Sequence, residues 1–263
     1  MIHLTREVRF AIDRDRNSDE VLASPIVNTW AGWPDADGLA PYLKLQATVA
    51  GQPDPVTGYL CDIKHLDDLL RTSAVPLALT PAADPLTTER FLQGVWQRVT
   101  DSTPGGAALI RLRLFPTPYI HYTIRREDPE MIQLTEQFEF SAAHRLHSPG
   151  LSDGANRELF GKCNNPRGHG HNYVVEVTVA GQPDASGLVC SRRRLEQVVK
   201  ECVLDRLDHK HLNEDTAEFR DLNPTVENIA LVVWNLLADK LAPVRLTRIR
   251  VYETPKTWAD YCG

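Results

Sequence analysis

The heptapeptide TVAGQPD stands at residues 48–54 and again at residues 178–184, 130 positions apart. A match of that length inside one chain means that whatever one half folds into, the other half must fold into as well. The likeness extends in both directions. YLKLQATVAGQPD stands against NYVVEVTVAGQPD, GYLCDIKHL against GLVCSRRRL, TTERFLQGVW against PTVENIALVVW, and IRLRLFPTP against TRIRVYETP. The chain therefore reads as a tandem duplication. A first domain covers residues 1–124, and residues 125–134, with the charged and Pro-containing stretch RREDPE, form a linker and the start of the next strand. A second domain covers residues 135–263.

Both halves repeat one order of elements. Two alternating strands come first, as at 138–146 and 169–180. A helix follows: over 192–207 the spacing gathers Leu195, Val198, Val199, Cys202, Val203 and Leu207 on one face. A second helix over about 226–241 is entered through Pro224 and Thr225, an N-cap candidate. Alternating strands close the half at about residue 253. Strands, helices and strands in separate runs predict an α+β domain, an antiparallel sheet with helices on one face.

Composition narrows the function. A net charge of −6 gives no general affinity for nucleic acid. No apolar run is long enough to span a membrane. The start MIHLTREVRF lacks the apolar core of a signal peptide. Five scattered cysteines without CxxC spacing point to a reducing, cytoplasmic setting rather than a disulfide framework.

Six of the nine histidines lie between His144 and His211, so the chemistry concentrates in the second half. On a strand His169 and His171 would face the same way, a common arrangement for binding a metal. His144, in FEFSAAHRL, shares the parity of Phe138, Phe140 and Ala142 in the strand expected to pair with 169–180. It is either a satisfied core histidine or a third ligand, and three imidazoles with one open position make a catalytic zinc site. Cys163, six residues ahead of His169 in a loop broken by Pro166 and Gly168, is a small apolar filler, a fourth ligand, or a base whose thiolate is favoured by positive charge nearby. Asp208 beside His209 either orients an imidazole or merely ends a helix. Thr225 and Glu227 suit a helix cap and a first-turn acid. Glu253 continues the apolar parity of Ile249 and Val251. A carboxylate there either turns to solvent or needs donors, such as a planar ligand edge with an amino group beside a ring N–H.

Together FSAAHRL, FGKCNNPRGHGHNY, LDHKHLN, NPTVEN and VYETP, in this order over residues 135–263, resemble the 6-pyruvoyltetrahydropterin synthase family. The resemblance implies the tunnelling fold (T-fold), here in tandem, each domain an antiparallel four-stranded sheet with two helices on one face. It implies Zn2+ on His144, His169 and His171, Cys163 as general base, and Asp208 with His209 completing the catalytic group, usually from a neighbouring subunit. Glu253 would anchor a pterin, helped by Thr225 and Glu227. The implied substrate is 7,8-dihydroneopterin triphosphate, whose side-chain hydroxyls the zinc would acidify while triphosphate leaves. A relative in the deazaguanine (queuosine) pathway, 6-carboxytetrahydropterin synthase, uses the same substrate and residues. A non-catalytic pterin-binding protein is a reading of another class.

The first half departs from this pattern. His144, Cys163, His169 and His171 align with Arg14, Trp33, Leu39 and Pro41, and Glu253 aligns with Pro116. It is expected to keep the fold without metal or pterin binding, and to let a trimer of tandem chains stand in for a hexamer. Neither nucleic acid nor membrane is an expected partner.

Overall fold

In a computed structural model of the chain, residues 1–12, 39–79 and 86–263 are described. They divide into two compact units. Met1–Leu134 together with Gln182–Val189 make the first, and Thr135–Gly181 with Cys190–Gly263 make the second. The expected positions Arg14 and Trp33 lie outside the described residues.

In the first unit, strands β1 (Ile2–Ala11), β2 (Tyr42–Gly51), β3 (Ala108–Thr117) and β4 (Ile120–Arg125) pair in that order, all antiparallel. Helices α1 (Ile63–Leu79) and α2 (Thr88–Val99) fall between β2 and β3. The period-2 pattern of β2 buries Leu45, Ala47 and Val49 on one side. Phe91, Leu92, Val95, Trp96 and Val99 recur at helical spacing, and all are buried in α2.

Strand β5 (Asp128–His144) follows β4 across a turn at Arg126 and Glu127. Residues 125–134, expected as a linker and the start of the next strand, hold the tight turn at 126–127 and the start of β5. Ile132 and Leu134 alternate into the core with no exposure at all, and Pro129 sits near the strand start, where its missing N–H is tolerated.

The second unit takes the last part of β5 and adds β6 (His169–Gly181), β8 (Arg245–Thr254) and β9 (Thr257–Tyr261) beside it. A two-residue strand, β7 (Lys210–His211), runs parallel to β5 at Ala142 and Ala143. Helices α3 (Asp153–Phe160), α4 (Arg192–Val199) and α5 (Val226–Leu237) connect these strands. Helix α4 continues through a wide π turn, Lys200–Leu204, into Asp205–Leu207. Leu195, Val199, Val203 and Leu207 are the buried residues here, spaced by four. A 3.6-residue helix would rotate such a row off the core, and the wider turn takes up the drift. Val198 and Cys202, expected on the same face, are only partly buried for that reason.

Several details occur twice at matching places. The β2–β3 register shifts between Thr48 and Val49, and the β6–β8 register between Thr178 and Val179. Thr5 and Thr48 share a 2.9 Å hydroxyl hydrogen bond, as do Thr135 and Thr178. Thr87 and Thr225 cap α2 and α5 with the same backbone angles, φ −73° and ψ 159°. Each unit is thus an antiparallel sheet with helices, an α+β arrangement. No helix among the described residues is long and apolar enough to cross a membrane.

Ile249, with no exposure, sits mid-strand in β8. Ile249→Ala is expected to destabilise the second unit by about 2–5 kcal/mol, read from urea denaturation followed by Trp fluorescence.

Candidate active site

Three strand ends and a helix start converge in the second unit. His144 ends β5 on the side that buries Phe140 and Ala142, and it is itself fully buried. His169 and His171 open β6, the neighbouring strand, and share a face as their spacing requires. The three ring centroids lie 4.6, 4.7 and 5.2 Å apart, and one nitrogen from each ring lies within 4.8 Å of the other two.

His144 is oriented from behind. Its Nδ1 donates to the carbonyl oxygen of Pro224 at 2.7 Å, just before α5. That bond fixes the tautomer and leaves the Nε2 lone pair pointing at the cluster, 3.2 Å from His169 Nε2. Burial, and after it the neighbouring His169, His171 and His211, lower its pKa to about 4. Burial likewise lowers that of His169. Burial outweighs the Pro224 hydrogen bond, which alone raises the His144 pKa, and the lowered values favour the neutral imidazole that ligates metal. Nδ1 of His169 and Nε2 of His171 are buried without a hydrogen-bond partner among the described residues, a cost that a cation on the ring nitrogens would offset at His171. The donor set fits a metal of the zinc type.

Glu253, near the end of β8, continues the parity of the fully buried Ile249 and Val251 and turns inward. Its Oε1 lies 3.5 Å from His144 Nε2 and 3.6 Å from His171 Nε2. Cys163 comes from a 3-10 turn, Gly161–Asn164, after α3. Its carbonyl accepts from Leu146 N at 2.8 Å, and Asn164 ties the same turn to the Leu146 carbonyl. Asn156, fully buried, holds the preceding loop through Ser148, Leu151 and Ser152. Burial, and after it the negative charge of Glu253, push the Cys163 thiol up. The expected favouring of the thiolate depends on positive charge beside it, as a bound metal supplies; in the protein alone burial, more than Glu253, favours the thiol.

Asp208 and His209 lie against Ser141 of β5, three residues before His144. Asp208 accepts from Ser141 N at 2.8 Å and from His209 Nδ1 at 2.9 Å, and the Ser141 amide, as the larger cause, holds its carboxyl below the usual range. His209 has a left-handed backbone, φ 57°, and its side chain is 83% exposed. His209 borders an open cleft of about 560 Å³ with Ser141, His171 and Asn172. Among the described residues no hydrogen bond or ion pair joins Asp208 or His209 to Cys163. Thr225 is the N-cap of α5, accepting from Asn228 N, and Glu227 is exposed in the first turn.

Three contributors were not singled out from sequence. Tyr173 continues the His169–His171 face, is fully buried, and brings its hydroxyl 3.4 Å from His144 Nδ1. His211 packs at the turn before the His pair: a Cβ on Gly168, whose φ is +69°, would lie 2.6 Å from His211 Nε2 and 2.9 Å from the His144 carbonyl. Glycine is required there. Tyr173 follows from strand parity, whereas His211 and the Pro224 carbonyl depend on contacts distant in sequence.

Residues 133–263 match the family model of 6-pyruvoyl tetrahydropterin synthase. The chain is similar to the 6-pyruvoyl tetrahydrobiopterin synthases of Drosophila melanogaster and Homo sapiens, each 45% identical over 132 residues. These alignments cover 49% of this chain and 79% of the fly protein, and 50% of this chain and 91% of the human one. The solved Caenorhabditis elegans 6-pyruvoyl tetrahydropterin synthase is 41% identical and covers 51% of this chain and 96% of its own, with a TM-score of 0.49.

With a folded pKa of about 4 against an ordinary 6.5, His144 leaves the unfolded chain binding the extra proton between those values. Its contribution to stability is intact above about pH 6.5 and is lost as pH falls toward 4. Chelator-treated protein is expected to show a lower urea midpoint at pH 5 than at pH 7, and His144→Asn a smaller drop. Equal drops in both would contradict the assignment.

Proposed function

The chain belongs to the 6-pyruvoyl tetrahydropterin synthase family, and from that membership we propose that it converts 7,8-dihydroneopterin triphosphate to 6-pyruvoyltetrahydropterin with loss of triphosphate. It is a lyase of that family. The observation that carries the reading is the convergence of His144, His169, His171, Glu253 and the Cys163 turn in the half that the family model covers.

His144, His169 and His171 would hold zinc, which supplies Lewis acidity toward the substrate's side-chain hydroxyls. Glu253 accepts N–H donors from the edge of the pterin ring, as a carboxylate accepts from a guanidinium. Thr225 and Glu227, at the α5 start, flank that ring. Cys163 takes the proton from the side-chain carbon. Its raised pKa in the protein alone makes it a strong base once ionised, and positive charge at the His cluster favours that ionisation. Asp208 holds His209 with its free ring nitrogen in the solvent-facing cleft, poised for proton transfer. Their separation from Cys163 within one chain supports a site completed by the pair of a neighbouring copy.

The first half is a second T-fold domain that keeps the framework and has lost the chemistry. The sequence repeat, the matched register shifts, the matched Thr–Thr pairs and the matched caps support this. Leu39 and Pro116 stand where His169 and Glu253 stand in the second half. Two T-fold domains per chain let three chains supply six, the assembly proposed here.

Zinc-loaded protein given dihydroneopterin triphosphate should yield 6-pyruvoyltetrahydropterin, identified by mass spectrometry. Cys163→Ala should lose at least about 100-fold in rate with unchanged metal content. The carboxy product with acetaldehyde would contradict the reading, as would an unchanged rate in the variant.

A further inference from the structure

One loop is built twice in this chain, and the two copies differ in what covers them. Residues 51–61 (GQPDPVTGYLC) and 181–190 (GQPDASGLVC) fold into similar turns, the first longer by one residue. Asp54 accepts from the amides of Val56 and Thr57, and Asp184 from those of Ser186 and Leu188. Each turn closes through its Asp amide, onto the carbonyls of Tyr59 and Leu188. Gly58 and Gly187 both have positive φ, 72° and 83°.

The second loop is docked. Gln182–Val189 belongs to the first unit and lies on the start of α2. The Thr87 hydroxyl donates to the Gly187 carbonyl at 2.8 Å, Val189 N donates to Glu89 Oε1 at 3.1 Å, and the Arg90 guanidinium donates to the Ala185 carbonyl at 3.1 Å. Docking leaves Glu89 only 1% exposed and buries Gly187. The first loop shows the opposite state: Gly58 is exposed, Tyr59 is 67% exposed and Val56 is 90% exposed.

The receiving surface is also built twice. Thr225 caps α5 as Thr87 caps α2, and Glu227 follows it as Glu89 follows Thr87. Each Thr oxygen accepts the amide three residues on, leaving its O–H to donate outward. Glu89 is covered, whereas Glu227 is exposed and makes no hydrogen bond or ion pair among the described residues. An exposed loop and an exposed receiver therefore remain, each matching a member of the pair already joined.

We propose that the loop at residues 52–60 of one copy of this chain docks on residues 225–228 of a second copy. The Thr225 hydroxyl donates to the Gly58 carbonyl, and the Leu60 amide donates to one Glu227 oxygen and leaves the other for the pterin ring beside it. Val189 N likewise takes only one oxygen of Glu89. Tyr59 and Val56 lose their exposure. Each copy gives one loop and receives one, so the contact repeats around a closed assembly. The receiver begins one residue after Pro224, whose carbonyl holds His144. The half without metal ligands thus walls the three-His site of another copy. This inference rests on the repeated turn and its hydrogen bonds, and stands whatever reaction the site performs.

A cross-link between separately substituted chains tests it. In the docked pair, a Cβ on Gly187 would lie 3.0 Å from Arg90 Cγ, the position a cysteine sulfur would take, within disulfide reach. Gly58 and Asn228 are the equivalent positions. Chains carrying Gly58→Cys are mixed with chains carrying Asn228→Cys and mildly oxidised. Thr57→Cys on the same loop replaces Gly58→Cys should the left-handed backbone reject a side chain. The expected result is a two-chain species linked at 58–228 in peptide mass spectra, forming at least about tenfold faster than with Glu158→Cys on exposed α3 as the partner. Equal rates, or no 58–228 peptide, would overturn the proposal, as would unsubstituted protein that sediments as a monomer.

Discussion

The hydrogen bond from His144 Nδ1 to the Pro224 carbonyl fastens the last residue of β5 to the entrance of α5, two elements 80 positions apart in sequence. It does three things at once. It satisfies a polar atom on a fully buried ring, which would otherwise cost about 1–3 kcal/mol. It sets the tautomer, so that Nε2 meets His169 as a lone pair. It also positions the Thr225 cap beside the cluster. Without it the other two histidines would be a pair at a strand start. With it they become part of a three-donor site backed by Tyr173 and faced by Glu253.

Much of this was legible in sequence because strand parity is a strict rule. His169 and His171 had to share a face, and parity put Glu253 on the side of Ile249 and Val251 while leaving open whether its carboxylate turned to solvent. The Thr225 cap was equally readable, since an N-cap is a local pattern. Less legible was everything fixed by packing. The π turn within residues 200–204 was hidden because a four-residue hydrophobic spacing also suits an ordinary helix over a short span. Within residues 125–134 charge and proline mark a tight turn as readily as a linker ahead of the strand, and only strand pairing tells the two apart. The surroundings of Cys163, burial first and the charge of Glu253 after it, come from a loop contact that spacing does not reveal.

The two halves share details of backbone geometry, while the candidate site lies in the second. The matched register shifts, Thr–Thr pairs and caps belong to backbone geometry, which either copy needs in order to fold. The residues that differ, Leu39 and Pro116 against His169 and Glu253, are those that fold equally well without their chemistry. The loop at residues 52–60 keeps its turn and its glycine.

Confinement of the metal to one half is the claim on which the rest turns. Crystals grown with zinc, measured on both sides of the zinc absorption edge, test it directly. One anomalous peak per chain is expected, bonded to nitrogens of His144, His169 and His171. A second peak in the first unit, or a single peak away from these three rings, would contradict it.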